Sequence, residues 1–415
     1  MSEERTAYDA SRIQVLDPRE AIRRRPGMYV GSCDERGLHR QLFELCGEGV
    51  NEVLAGRADR VDVTLAPEGW VRIAVDGPRV PPDDRAGDCG GPGLEALLAD
   101  LDANPPLRSR NAVELSSFGS RMGPFVANAL SSRLTAEFGR GQTRRVHRYE
   151  RGYAVGPETT PDGPRSQDGP RADDGREAAP GTLITFRPDT DVFGTAEHSF
   201  DVLAERFREL AYLNPGLDIH LSDRRSVDWA RSERFRFPGG ARDFVAFLAG
   251  RRTPGSFHGR VHGLALEEPR MSGSVEVALS WDSAPGEEVR SFANSCPTPW
   301  GGTHVEGFRA GLAAAVNAFA RERGLLTPTA PDLDAGRVSG GLTAVVSVKL
   351  DRVELTGSTR GALANEDVLA PVAQAVREHL RTWLAEDPQL AATVAARVAT
   401  ARNAHGDCPA DRLTR

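Results

Sequence analysis

Lysine is almost absent. Lys349 is the only one in 415 residues, and arginine carries nearly all of the positive charge. No site in this chain can use an ammonium side chain except near position 349, and arginine is not a geometric substitute for it. Cysteine is scarce and scattered. Cys33, Cys46, Cys89, Cys296 and Cys408 are odd in number and lack metal-ligand spacing, which argues against a disulfide framework and fits reduced thiols. Long apolar runs are missing, so no membrane span is expected, and the polar start MSEERTAYDASR does not read as a signal peptide. These absences point to a cytoplasmic protein. Metal spacing is also missing among the nine histidines. His258 and His262 lie four apart, but the glycines of SFHGRVHG break a helix there. No nucleophilic triad emerges. Net charge is −7, which argues against a broad nucleic-acid surface.

What remains is ordinary globular composition, 39% apolar and 27% charged. The length exceeds what one core usually organises, so two domains are expected. The stretch 37–56, GLHRQLFELCGEGVNEVLAG, organises the rest. As a helix it sets Leu42, Phe43, Cys46, Val50, Val53 and Leu54 on an apolar side. It stacks Glu44, Glu48 and Glu52 four apart on the other. Like charges at that spacing cost about 0.2–0.5 kcal/mol per pair. The row is either a solvated face or the lining of a pocket.

Residues 1–17 read as an arm anchored by Tyr8 and Ile13, ahead of a short helix at 18–25 stopped by Pro26-Gly27. Two β-rich runs, 60–65 and 70–75, flank APEG as a hairpin that ends in a turn at 76–81. Loops at 82–93 and 102–120 surround a short helix at 94–101. A helix at 123–130, strands near 134–138 and 144–149, and a strand at 181–187 follow. The segment 157–180, rich in Pro, Gly, Asp and Arg, reads as a flexible insertion. Helix 200–213 leads to a strand at 218–222. A second unit then spans 223–400, with a polar tail at 401–415. In it, 275–281 and 289–294 read as a hairpin, and Gly301-Gly302-Thr303-His304 enters a helix at 305–323. LTAVVSVKL at 342–350 is a buried strand. Two helices, 365–385 and 388–404, close the unit. The pattern suggests an α+β architecture with helices on one sheet face.

Four segments carry a family resemblance. REAIRRRPGMYVGSCDERGLHRQLFELCGEGVNEVLAG, NPGLDIHLSDRR, GGTHVEGFRAGL and GLTAVVSVKL resemble, in this order, the ATPase region of the DNA gyrase B protein and its topoisomerase relatives. The resemblance implies a GHKL (Bergerat) α/β sandwich followed by a transducer domain of ribosomal S5 domain 2-like fold. It matches Tyr8 and Ile13 to the arm's contact positions, implying a homodimer in which each arm reaches its partner's pocket. No segment resembles the TOPRIM domain, the DNA-cleaving partner or the DNA-wrapping region, so this chain is not expected to cut DNA by itself.

Departures from the family concentrate at the nucleotide site. The resemblance makes Glu44 the general base, but Glu48 stands where the family's Mg²⁺-holding asparagine belongs, and Gly47 where an aspartate is usual. Val75 falls on the adenine-reading aspartate, and Arg79 on a glycine beside the purine. A pocket that hydrogen-bonds a base loses heavily when that partner becomes apolar. Thr182, the other adenine-side residue, is retained. The glycine-rich phosphate turn reads Ser117-Phe118-Gly119-Ser120-Arg121-Met122-Gly123, with only Gly123 in register. The transducer loop that carries a phosphate-binding lysine reads Ser358-Thr359-Arg360. Together these changes argue against ATP hydrolysis, and no cofactor, neither ATP nor Mg²⁺, is expected.

The rebuilt pocket gains Val75, Pro78, Phe118 and Met122 as apolar walls and keeps Glu44, Glu48, Asp76, Arg79 and Arg121 as polar groups. That is the make-up of a small-molecule site. Thr182, Arg360 and Tyr8 complete the expected ligand contacts. Two partly buried glutamates one turn apart should titrate apart, one toward neutral, and supply an acid and a base. An arginine could stabilise a developing oxyanion. The expectation is an ATP-independent enzyme or binder for a non-nucleotide small molecule, in a setting such as secondary metabolism. Cyclisation, dehydration, isomerisation or hydrolysis would fit. A purely structural role for Glu44 and Glu48, with Arg79 and Arg121 as partners, stands beside it. Two other readings stay open. One is a gyrase modulator or self-resistance protein, acting through dimerisation, gyrase subunits or drug binding. The other is a surviving weak ATPase.

Overall fold

The structure is a computed structural model and describes residues 16–76, 94–103, 110–115, 122–140, 143–156, 181–226, 228–252, 260–282 and 286–406. Most of the expected arm, the 157–180 insertion and much of the two loops lie outside these residues.

The first unit runs α1 (Pro18–Arg24), α2 (Gly27–Val30), α3 (Glu35–Leu54), β1 (Val61–Leu65), β2 (Val71–Val75), α4 (Leu94–Ala99), α5 (Gly123–Ala129), β3 (Ser131–Arg140), β4 (Thr143–Glu150), β5 (Tyr153–Ala154), β6 (Thr182–Pro188), α6 (Thr190–Phe193), α7 (Phe200–Leu213), β7 (Ile219–Asp223) and β8 (Arg231–Phe235). The strands form one sheet in the order β5-β4-β3-β6-β2-β1-β7-β8. β1 and β2 alternate buried and half-buried residues, and their buried side meets Leu42, Leu45, Cys46 and Val50 of α3 and Phe207 and Leu210 of α7. The sheet runs past the expected boundary at 222, because β8 adds to its edge beside β7. Sequence pattern does not show β8: in RSERF only Phe235 is buried, as an edge strand with one covered face allows.

The second unit runs α8 (Ala241–Arg252), β9 (His262–Glu268), β10 (Gly273–Trp281), β11 (Glu288–Ala293), β12 (Cys296–Pro297), α9 (Thr303–Glu322), α10 (Ala335–Val338), β13 (Leu342–Leu350), β14 (Leu355–Thr356), β15 (Ala362–Leu363), α11 (Leu369–Glu386) and α12 (Pro388–Gly406). Its main sheet has the order β12-β11-β13-β10-β9. The expected hairpin of 275–281 with 289–294 does not form. β13 lies between the two, antiparallel to β10 and parallel to β11. A run that apolar must be covered on both faces, so it takes the centre. Ala344, Val346 and Val348 face the core of α9, α11 and α12, while Val345 joins Phe244 of α8 and Tyr212 of α7. Helices therefore cover both faces here, not one.

Tyr212 stacks on Phe244 with ring centres 4.8 Å apart, so α7 joins the two units directly. Beside it the only lysine crosses the same boundary. Lys349 Nζ donates to Asn214 Oδ1 at 2.8 Å, and the Asn214 amide donates to Ser295 Oγ at 3.0 Å. Burial lowers the Lys349 pKa, opposed by nearby Glu276.

Two buried histidines give the fold an acid sensitivity. Burial pushes His198 down to about 3, helped by the neighbouring His39 and Arg225, and pushes His304 down to about 4. Both values lie below the ordinary one, so the unfolded chain takes up these protons first. The stability they contribute is complete above about pH 6.5 and is lost as pH falls toward the folded-state values. Each is expected to remove about 2 kcal/mol between pH 7 and 5. Urea denaturation at the two pH values checks this, with His198→Asn losing its share.

Candidate functional site

α3 starts where the Asp34 carboxylate accepts the Arg36 N–H at 2.9 Å. A Cβ at Gly37 would lie 1.8 Å from the Ser32 carbonyl oxygen, so only glycine lets the chain turn into the helix here. From 37 to 50 almost every residue is buried, and the acidic row is therefore not one face. Glu52 is at the surface, paired through both oxygens with Arg57 at 2.7 and 2.8 Å. Glu48 is half-buried. Glu44 is 8% exposed.

Glu44 Oε2 accepts the backbone N–H of Gly123 at 3.1 Å. Gly123 opens α5 with φ at +78°, a left-handed value that favours glycine. Met122 just before it is buried with Ile22, Val30, Leu38 and Phe125. Over α3 lies the short segment 110–115. Asn51 grips it: Val113 N–H donates to Asn51 Oδ1 at 2.8 Å, and Asn51 Nδ2 donates to the Val113 carbonyl at 3.3 Å. Arg206 of α7, buried, donates through Nε to the Leu115 carbonyl at 3.1 Å. Its Nη2 donates to the carbonyls of Glu114 at 3.4 Å and Ser295 at 3.1 Å.

Phe43, Glu44, Gly47, Glu48 and Asn51 from α3, with Val113, Glu114 and Leu115, line a cleft that leaves about 10 Å³ for a water centre. That is room for roughly one water molecule. Burial raises the Glu114 pKa most, the Glu44 charge raises it further, and Arg360 and Arg40 pull it down. Burial lowers the pKa of Arg40, and Glu44 and Glu114 oppose that. Glu44, Glu114, Arg40 and Arg360 thus act on one another across α3, segment 110–115 and the β14–β15 turn. Arg360 has φ at +50°, and its N–H donates to the Gly357 carbonyl at 3.1 Å. A Cβ at the next residue, Gly361, would lie 2.5 Å from Cδ1 of Trp300, whose ring covers the turn and is 75% exposed.

Val75 and Thr182 are direct cross-strand partners on β2 and β6. Val75 is 9% exposed and packs on α3: a Cβ at Gly49 would lie 2.5 Å from Val75 Cγ2. Asp76 belongs to another neighbourhood. Its N–H donates to the Arg60 carbonyl at 3.3 Å, and the charges acting on it are those of Arg60, Asp62, Asp59 and Asp218. Burial raises its pKa. The structure therefore brings Glu44 and Glu48 to one cleft, sets Arg360 where its charge acts on Glu114 of that cleft, places Val75 and Thr182 together in the neighbouring sheet, and puts Met122 in a side core. Tyr8, Pro78, Arg79, Phe118 and Arg121 lie outside the described residues.

Sequence reading misses Arg40, Asn51, Glu114 and Arg206. The first two carry a signal. Arg40, Glu44, Glu48 and Asn51 follow the i, i+4, i+8, i+11 rhythm of one helix face. Glu114 sits in irregular chain, and Arg206 in FDVLAERFREL reads as a surface arginine.

A family model for DNA gyrase B matches residues 240–407. The chain is 36% identical over 403 residues to the DNA gyrase B protein of Streptomyces coelicolor, covering 94% of this chain and 56% of that protein. It is 37% identical over 416 residues to the novobiocin-resistant DNA gyrase B protein of Streptomyces niveus, covering 95% of this chain and 58% of that one. It thus spans a little over half the length of these curated relatives. Among solved structures it is similar to the 43K ATPase domain of Thermus thermophilus gyrase B in complex with an aminocoumarin. That match has a TM-score of 0.71 at 29% identity and covers 94% of this chain and 96% of the other. The chain is thus similar, over nearly its whole length, to the GHKL and transducer region of gyrase B.

Proposed function

We propose that this protein takes a non-nucleotide small molecule at the α3 cleft, which opens beyond the one-water space between its described residues to admit it, and that it works without ATP or Mg²⁺. The observation that carries this reading is the engagement of Glu44. Its carboxylate accepts the Gly123 N–H, a group that the family resemblance assigns to a phosphate cradle. Val75 adds support. It fills the space over Gly49 with methyl groups where a purine would need an acceptor. The residues present do not fit the nucleotide.

The cleft suits acid–base work. Two carboxylates beside two guanidinium groups can hold one proton and one negative charge at once. An acid and a base of that kind serve cyclisation, dehydration, isomerisation or hydrolysis. Calorimetric titration with a non-hydrolysable ATP analogue and Mg²⁺ tests the first half of the reading: no binding heat is expected, and tight binding would restore the ATPase reading. A second reading is assembly with gyrase subunits. What favours it is that both units of the scaffold are kept across 94% of the chain. Co-purification with gyrase subunits would support it, and failure to associate would leave the small-molecule site alone. Self-protection by drug binding is weakened by Val75, which offers no acceptor at the aspartate position.

A further inference from the structure

In the sheet of the first unit, Leu134 of β3 and Phe186 of β6 turn inward to the core they share with α3 and α7. Their chain neighbours Arg133 and Arg187 therefore stand on the opposite face. These two arginines are direct cross-strand partners. Like charges set opposite each other on a sheet repel. Arg133 is compensated in part, since its Nε lies 3.5 Å from Glu150 Oε1. Arg187 is half-buried, and its guanidinium has no hydrogen bond or ion pair among the described residues. The Ser132 hydroxyl donates to the Arg187 carbonyl at 3.1 Å, at a register shift of β3 between Ser131 and Arg133, and pins the strands here. A third arginine comes from the β4–β5 turn. Arg151 and Gly152 have φ of +53° and +83°, left-handed values at which asparagine or glycine is the favoured first residue of a two-residue hairpin. Asp189, 3.2 Å from its Nε, and Asp191, 2.6 Å from its Nη2, orient Arg151. Ser132, Arg133, Glu150, Arg151 and Arg187 line an open hollow of about 370 Å³.

We propose that this hollow binds a small, hydrophilic phosphomonoester, with its phosphate between Arg133, Arg151 and Arg187. The uncompensated charge of Arg187, opposite Arg133, is what points to an anion. A phosphate dianion supplies the missing counter-charge, and its oxygens point in several directions, as three guanidinium forks require. A carboxylate, with two oxygens in one plane, satisfies fewer of them. The volume falls within the range of small-molecule sites, about 300–1,000 Å³, and leaves room for an organic part beside the phosphate. Every lining residue is polar or charged, so that part carries hydroxyl groups and not an apolar chain. Glu150 repels further negative charge, which favours a single phosphate over a polyphosphate. The hollow lies on the sheet face away from α3, so the inference does not depend on the reading of the cleft.

Calorimetric titration of the full chain at fixed ionic strength tests this, with inorganic phosphate, glycerol phosphate and a short DNA duplex as probes. Both phosphates should bind and compete with each other, glycerol phosphate the more tightly. Arg187→Gln should weaken both by at least about tenfold, the loss of one charge-assisted contact. Its unfolding midpoint without phosphate should equal or exceed that of the parent, because the like-charge pair is gone. If that variant fails to fold, the exposed Arg133→Gln takes its place, with the same expected loss of affinity. No binding heat for either phosphate in the parent would overturn the proposal, as would parent-like affinity in the variant. A loss in Arg360→Gln as large as in Arg187→Gln would place the phosphate at the α3 cleft and overturn the site. A duplex that binds more tightly than glycerol phosphate would overturn the small ligand and mark the face as a surface for polyanions.

Discussion

Arg206→Ala is expected to lose about 3–5 kcal/mol of unfolding free energy. The guanidinium is buried and donates to the carbonyls of Glu114, Leu115 and Ser295 and to the Glu209 carboxylate. Truncation leaves three backbone acceptors without their donor and removes the counter-charge of Glu209, whose pKa burial already raises. Arg206→Lys should recover only part of the loss, since an ammonium cannot span carbonyls from two units. Arg208, two residues on, donates to Glu233 at 2.6 Å in a more open setting. Arg208→Ala should stay within about 1 kcal/mol of the parent. Guanidinium denaturation of the three variants decides this, and an Arg206→Ala loss no larger than that of Arg208→Ala would show that the buried arginine is dispensable.

The second large effect is on turnover. With the substrate in hand, Glu44→Gln and Glu114→Gln are each expected to lower the rate by at least about 100-fold, the span of general acid–base catalysis. The amide introduced by Glu44→Gln keeps an oxygen for the Gly123 N–H, so the loss should not come from unfolding. Glu114 is the carboxyl held above its usual range, by burial and by Glu44, so it is assigned the acid and Glu44 the base. The sign follows. Activity should fall as pH rises through the raised Glu114 value, because the acid then loses its proton. The double variant should be little worse than either single one, because the pair works as a unit. Glu48→Gln should have the smaller effect. Parent-like rates for both Glu44→Gln and Glu114→Gln would end the acid–base reading.

The scaffold is legible because periodicity follows burial. The α3 helix, the β1–β2 hairpin, the central strand β13 and the long helices each have a face that must be covered, and each appears where its apolar rhythm puts it. Of the missed pieces, β8 carries little rhythm, since it is covered on one side at one residue. α8 does carry the helical rhythm, at Ala241, Phe244, Val245, Leu248 and Ala249, and sequence reading passes over it. The mispaired hairpin has the right strands. What the pattern does not encode is that the most apolar strand, far along the chain, takes the place between them. In the site, Glu44 and Glu48, one turn apart on α3, both border the cleft. The partner of Glu44 escapes sequence reading, because Glu114 comes from irregular chain 70 positions away and meets Glu44 only through the fold. Asp76 draws the opposite error. It lies next to Val75 in sequence, but its charge neighbours sit at the β1 and β7 end of the sheet.

The lone lysine has a consequence for reactivity. Reagents that acylate or reductively alkylate side-chain amines have a single target in this protein, Lys349, and its amine is already donating to Asn214 across the domain boundary. Its lowered pKa supplies free amine at milder alkalinity than a surface lysine would, while the neighbouring chain restricts approach. Covalent modification at that nitrogen must break its bond to Asn214, so the rate of labelling reports how readily this one contact across the boundary opens.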